Sequence, residues 1–107
     1  MSKASILTQY ILTFLQDREW EVWRNNSGKL KVGDRYVRMA PTGSGDIIGH
    51  DPCGCYVHIE VKIDDDVLSP EQIEKLHKIS RTKHGIACVA TSRKQFEKWF
   101  DTCRGIN

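Results

Sequence analysis

The apolar positions of this 107-residue chain change period several times, and each change marks an element. Ile6, Leu7, Tyr10, Ile11, Phe14 and Leu15 recur every three to four residues and predict a helix over about residues 3–17. Residues 21–25 read as a short strand, closed by the turn signal Asn26-Ser27-Gly28. Residues 29–39 read as a β-excursion folded back at Gly33-Asp34, and a flexible run from Pro41 to Gly45 leads to Asp46. From Tyr56 to Ile63 the period is two. Val57, Ile59, Val61 and Ile63 share one face and Tyr56, His58, Glu60 and Lys62 the other, so a strand is expected with its charged face exposed. The turn Asp51-Pro52-Cys53-Gly54 joins the Asp46 and Glu60 segments as antiparallel neighbours.

Asp64-Asp65-Asp66 marks the end of that strand. A helix start follows, with Ser69 as N-cap, Pro70 at the first helical position and Gln72 completing a capping box. Ile73, Leu76 and Ile79 point this helix inward, and it ends before Gly85. Residues 86–90, all apolar, predict a buried strand. Ser92 and Gln95 repeat the capping pattern ahead of a last helix bearing Phe96, Trp99 and Phe100. The predicted order is α-β-β-β-α-β-α, a single α/β domain over residues 1–107 with a mixed sheet flanked by helices.

A hydrophobic fraction of 39% and a charged fraction of 28% are those of a globular chain. One domain of this length buries roughly 65% of its unfolded surface. No apolar run approaches the ~20 residues of a membrane span and the N-terminus carries no signal-peptide core, so no membrane partner and a cytoplasmic location are expected. The net charge is only +2, but its distribution is uneven. Residues 22–45 sum to +4, residues 46–74 to −7 and residues 75–107 to +6. An acidic centre between basic flanks suits a cation site beside a polyanion track, although solvated surface charge would give the same pattern. Cys88 lies in the apolar strand as a small hydrophobe, while Cys53 and Cys55 flank Gly54 in a turn without the C-x-x-C spacing of structural zinc sites. Free thiols are expected at all four cysteines.

If Asp46 neighbours the Glu60 strand, two carboxylates and the Lys62 amine converge on one patch. Hydrolysis of a phosphodiester needs an activated water, neutralisation of the charge that builds on phosphorus, and a stabilised leaving oxygen. A hard divalent cation on oxygen ligands contributes to all three. Asp46, Glu60 and the main-chain carbonyl of Val61 are the candidate ligands, with Lys62 orienting or deprotonating water or holding the phosphate. Taken alone, Glu60 and Lys62 also fit a surface ion pair, Gln72 fits a plain capping residue, and His58 an exposed strand histidine.

Trp23-Arg24-Asn25-Asn26-Ser27-Gly28, Gly43-Ser44-Gly45-Asp46-Ile47-Ile48-Gly49, Ile59-Glu60-Val61-Lys62 and Leu68-Ser69-Pro70-Glu71-Gln72 together resemble the VRR-Nuc family, a branch of the PD-(D/E)xK nuclease superfamily. The resemblance runs over about residues 5–92 and implies a restriction-endonuclease-like αβββαβ core and a Mg²⁺- or Mn²⁺-dependent DNA endonuclease. It assigns metal binding to Asp46 and Glu60, catalysis to Lys62, and a place near the site to Gln72. Arg24 and Asn25 match a polar pair ahead of the basic excursion. With Lys29, Lys31, Arg35 and Arg38 they are the candidate DNA-binding residues. Stand-alone relatives of this size occur in bacteriophages and bacteria, some resembling Holliday-junction resolvases, which for a phage protein implies the host cytoplasm. The superfamily's Pro-Asp pair stands here as Gly45-Asp46, and the first helix offers Ser5, Thr8 and Gln9 where many relatives carry a glutamate. The expectation is an endonuclease of branched DNA acting as a homodimer, because symmetric cutting of a four-way junction needs two sites related by a two-fold axis. Trp99 and Phe100 are candidate contacts for such a dimer. The alternative is a nuclease-like module that binds DNA without cutting it.

Overall fold

The computed structural model describes residues 1–25, 29–38 and 45–104, without the side chains of residues 29, 30, 37, 38 and 104. The predicted turn at residues 26–28 and most of the approach to Asp46 (residues 41–44) lie outside the described residues. Helix α1 (Lys3–Gln16) starts where the Ser2 hydroxyl accepts the Ser5 amide at 3.1 Å. It buries Leu7, Ile11, Leu12 and Leu15, whereas Ile6, expected inward, faces solvent. A tight turn after α1 is held by the Trp20 amide donating to the Leu15 carbonyl at 3.1 Å, and it drops buried Trp20 into the core ahead of β1 (Glu21–Arg24).

Strands β2 (Lys29–Val32) and β3 (Arg35–Arg38) form a two-stranded hairpin of their own, turning at Gly33-Asp34 as expected. The main sheet has the order β1-β4-β5-β6, with β4 (Ile47–His50), β5 (Tyr56–Val61) and β6 (Ile86–Ala90). β1, β4 and β5 are antiparallel neighbours; β6 runs parallel to β5. A parallel neighbour requires a crossover, and α2 (Pro70–Ser80) supplies it. Asp51 shapes the β4–β5 turn, its Oδ1 accepting the amides of Cys53 at 2.9 Å and Cys55 at 2.8 Å.

Helices cover both sides of the sheet. On one side α1 and α3 (Arg93–Arg104) enclose a core in which Ile11, Leu15, Ile47, Val57, Ile59, Ala90 and Phe96 are all fully buried. The ring of Phe14 meets those of Phe96 and Phe100 edge-on, at 5.3 and 5.0 Å between centroids. Trp99 and Phe100 pack half-buried against this core. The cap of α3 is shifted by one residue from the predicted box: Ser92 Oγ accepts the Gln95 amide, but Gln95 Oε1 accepts from Thr91 and its Nε2 donates to the Val89 carbonyl. On the other side α2 lies over β5 and β6, with Leu76 and Ile79 inward and Ile73 exposed.

Strand β5 is therefore not the half-exposed strand that its alternation predicts. Val57 through Val61 are buried without interruption, because β5 is flanked by two strands and covered by helices on both faces. The middle of the charged face, His58 and Glu60, is inside the protein, while Tyr56 and Lys62 at its ends keep contact with solvent.

β1 runs close against β4 at Gly49, whose φ of +150° few L residues adopt. A Cβ there would stand 2.0 Å from the Glu21 carbonyl oxygen. Gly49→Ala is expected to lower the unfolding free energy by more than about 2 kcal/mol. Thermal and urea unfolding measure it, and an unchanged midpoint would refute this close contact.

Candidate active site

Asp46 stands one residue before β4, and its backbone is held from both sides. Its amide donates to the Ile59 carbonyl at 2.9 Å, and its carbonyl accepts the Asn25 amide at 2.8 Å. The Asn25 side chain donates to the Gly45 carbonyl at 2.9 Å. Asn25, a candidate DNA-binding residue, thus ties its amide group to the segment that carries Asp46, since β1 runs alongside that segment. Beyond Ile47 there is no β4 backbone to pair with Val61, and the Asp46 side chain fills that role: its Oδ2 accepts the Val61 amide at 2.7 Å. The N–H and C=O of one strand residue share an edge, so the Val61 carbonyl faces the same side as Asp46.

Glu60 is fully buried, and each carboxylate oxygen has a partner. Nε2 of His58 lies 3.3 Å from Oε2, and Nε2 of Gln72 donates to Oε1 at 3.2 Å. Burial is the largest influence on Glu60 and raises its pKa above the ordinary glutamate value. The His58 hydrogen bond works against this, while the charge of Asp46 pushes further upward. Asp46 thus stands near enough for its charge to bear on Glu60.

Gln72 caps α2 and faces Glu60 with the same side chain. Its Oε1 accepts the Ser69 amide at 2.8 Å, and its backbone N–H reaches the Ser69 hydroxyl at 3.2 Å, completing the box. Because the cap occupies the oxygen, the NH₂ end is left to face Glu60.

The surface ion pair that Glu60 and Lys62 also fit, taken alone, is not formed among the described residues. Among the described residues the basic side chain within reach of Glu60 is that of His58, at 3.3 Å. The reason is burial: Glu60 turns inward under α2, whereas Lys62 follows at the end of β5, half-buried, its amide bonded to the Ala90 carbonyl at 2.9 Å. Strand register still returns the Lys62 side chain to the Glu60 face. His58, expected exposed, is fully buried beneath the same face. A signal for this was present: an all-apolar β6 implies a sheet covered on both sides, and β5 is its parallel neighbour.

Of the basic candidates, Arg24 is exposed at the end of β1, and Lys31 and Arg35 are exposed on the hairpin. The Lys31 amine sits 6.0 Å from the centroid of Tyr36, which is itself 67% exposed, so the hairpin offers a cation and an aromatic ring together. The side chains of Lys29 and Arg38 lie outside the described ones.

Among the described residues, no group of three or more His, Cys, Asp and Glu side chains is arranged to hold a metal. Cys53 is exposed and Cys55 half-buried in the Asp51 turn; burial pushes the Cys88 thiol up to about 12, which keeps it inert. Asp46, Glu60 and the Val61 carbonyl form a smaller oxygen set. Such a set fits magnesium, which retains several waters and takes one or two carboxylates. The fit has a structural motive as well, since a cation between two mutually repelling acids would relieve the repulsion that raises Glu60.

The Glu60 shift has a thermodynamic consequence. An acid whose pKa is higher in the folded chain binds its proton more tightly there. Its contribution is therefore most favourable below the ordinary value of 4.5 and declines as pH rises through the window from 4.5 to the folded value. Unfolding of the protein in EDTA, followed against pH, should show this decline, and Glu60→Gln should flatten it. A slope that persists in the variant would assign it to other groups. None of the known protein families, curated proteins or solved structures compared with this chain matches it.

Proposed function

We propose that the chain is a metal-dependent DNA endonuclease with a restriction-endonuclease-like core, acting on branched DNA. The observation that carries the reading is the approach of Asp46, whose carboxylate accepts the Val61 amide, to Glu60 near the end of β5, with Lys62 two residues after Glu60. The order α1-β1-β4-β5-α2-β6, with the β2–β3 hairpin inserted after β1, supports an αβββαβ core.

Asp46, Glu60 and the Val61 carbonyl would hold Mg²⁺ or Mn²⁺. Each Glu60 oxygen accepts one hydrogen bond in the protein and retains a second lone pair for a ligand. The ion, when bound, supplies Lewis acidity and a water of lowered pKa. Everything else falls to the chain. Gln72 and His58 keep the Glu60 carboxylate from rotating, and the Val61 amide does the same for Asp46. Lys62, half-exposed at the strand end, places a positive charge where the phosphate gains negative charge, or accepts the proton of the attacking water. Arg24, Lys31 and Arg35, with Lys29 and Arg38 near them in sequence, supply the phosphate track. Symmetric cutting of a junction by so small a site calls for two copies of the chain about a two-fold axis.

The second reading, a module that binds DNA without cutting, draws on α1. Thr8, at the position that could have faced the site with an acid, is buried and bonded to the Ala4 carbonyl at 2.7 Å.

Labelled junction, flap and duplex DNA incubated with the protein in Mg²⁺, Mn²⁺ or EDTA separate the two. Cleavage that requires metal and vanishes in Asp46→Ala and Glu60→Ala is the expected result. Lys62→Ala should lose roughly 10²–10³-fold in rate while metal binding persists. DNA bound but never cut under any condition would establish the binding module instead. In the same system, Lys31→Ala combined with Arg35→Ala should weaken binding to all DNA shapes and reduce the salt dependence by about two counter-ions. An unchanged salt slope would remove the hairpin from the DNA interface.

A further inference from the structure

We infer that His58 is a positioning residue that holds both acids of the site in their ligating arrangement, an inference that rests on the metal-dependent reading above. His58 is fully buried in the middle of β5, two residues before Glu60 and on its face. Two separate contacts tie it to Glu60 and to the residue before Asp46. Its Nε2 lies 3.3 Å from Glu60 Oε2. The same edge of the ring lies against Gly45, the residue before Asp46. A Cβ placed on Gly45 would be 3.0 Å from both Cδ2 and Nε2 of His58, and 3.1 Å from the Ile59 carbonyl oxygen. The imidazole thus fills the space between the Glu60 side chain and the backbone that delivers Asp46. Glycine at position 45 is what lets the ring sit there.

The hydrogen bonding is lopsided in a way that a merely space-filling histidine would not require. Nδ1 is buried and, among the described residues, has no partner. A proton on Nδ1 would be a buried donor without an acceptor, and it would turn the Nε2 lone pair toward a carboxylate. The hydrogen that meets an acceptor is therefore the one on Nε2, donated to Glu60, while Nδ1 faces no partner among the described residues. Leucine would fill much the same volume without an orphaned nitrogen. What the histidine adds is a donor aimed at a ligand oxygen. Gln72 supplies the other donor from α2, so Glu60 is gripped by one residue of its own strand and one of the crossover helix. Outer donors of this kind typically contribute 10–100-fold to metal affinity.

The test is Mn²⁺ binding to the full chain, measured calorimetrically without DNA, for the wild type, H58L, H58Q and D46A. H58L is expected to weaken Mn²⁺ binding by about tenfold or more, and H58Q, whose amide reaches the same oxygen, to restore it to within about threefold of the wild type. H58L binding like the wild type, or H58Q as weak as H58L, overturns the inference while leaving the metal site standing. A wild type that binds no Mn²⁺ and does not differ from D46A overturns the metal reading and this inference with it. Should H58L fail to fold, ¹⁵N NMR of the wild-type imidazoles decides. His58 is expected as the Nε2–H tautomer, with resonances that move on addition of Mg²⁺; the Nδ1–H tautomer, or no response to Mg²⁺, overturns the proposal.

Discussion

A carboxylate removed from water is among the more costly things a small domain can contain, several kcal/mol for an ion left without compensation. Glu60 is such a group, fully buried in the central part of the sheet. Much of the surrounding structure bears on how that charge is tolerated. His58 and Gln72 each give a hydrogen-bond donor to one of its oxygens, and Asp46, a second acid, adds repulsion from the neighbouring segment. Two donors soften the burial and one like charge aggravates it. The result is an acid whose raised pKa disfavours the ionised state. A geometry that accumulates negative charge in a partly dry place is characteristic of functional sites, where a positively charged partner completes it.

The supports of the two acids are built from ordinary secondary-structure devices. Gln72 is a capping-box residue, so the start of α2 and the orientation of Glu60 are set by one side chain. Asp46 acts as a prosthetic piece of strand: β4 stops pairing at Ile47, and the Asp46 carboxylate takes the Val61 amide that the next β4 carbonyl would have taken. Asn25 continues β1 in the same spirit, bonding the Asp46 carbonyl with its backbone and the Gly45 carbonyl with its side chain. The sheet thus ends at the site in side-chain hydrogen bonds. Those bonds leave the Val61 carbonyl and the acids gathered at its margin.

Much of the framework was legible in the chain because its signals are local. Period-two alternation marked β5, the Ser69-Pro70-Gln72 start marked α2, and the turn at Asp51 made β4 and β5 neighbours, which was enough to bring Asp46 near Glu60. Local pattern misled wherever a distant element decided the outcome. Ile6 belongs to the apolar periodicity of α1 yet faces solvent, because the helix rotates its Leu7, Ile11 and Leu15 stripe against the sheet. Trp99 and Phe100, named as candidate dimer contacts although such aromatics are more often core, pack half-buried on the core beside Phe14 and Phe96.

The sequence by itself determined which residues carry charge, their spacing, and the strands and caps on which they stand, since alternation and capping depend on neighbours a few residues apart. Only the tertiary structure decided the environment of those charges. β6 added in parallel to one edge of β5, together with α2 crossing above, turned an apparently exposed face into an interior one. That enclosure changed His58 from a surface residue into the partner of Glu60, and denied Glu60 the ion pair with Lys62 that sequence proximity implied. Burial is a property of what packs on top, and elements that pack together here are separated by tens of residues.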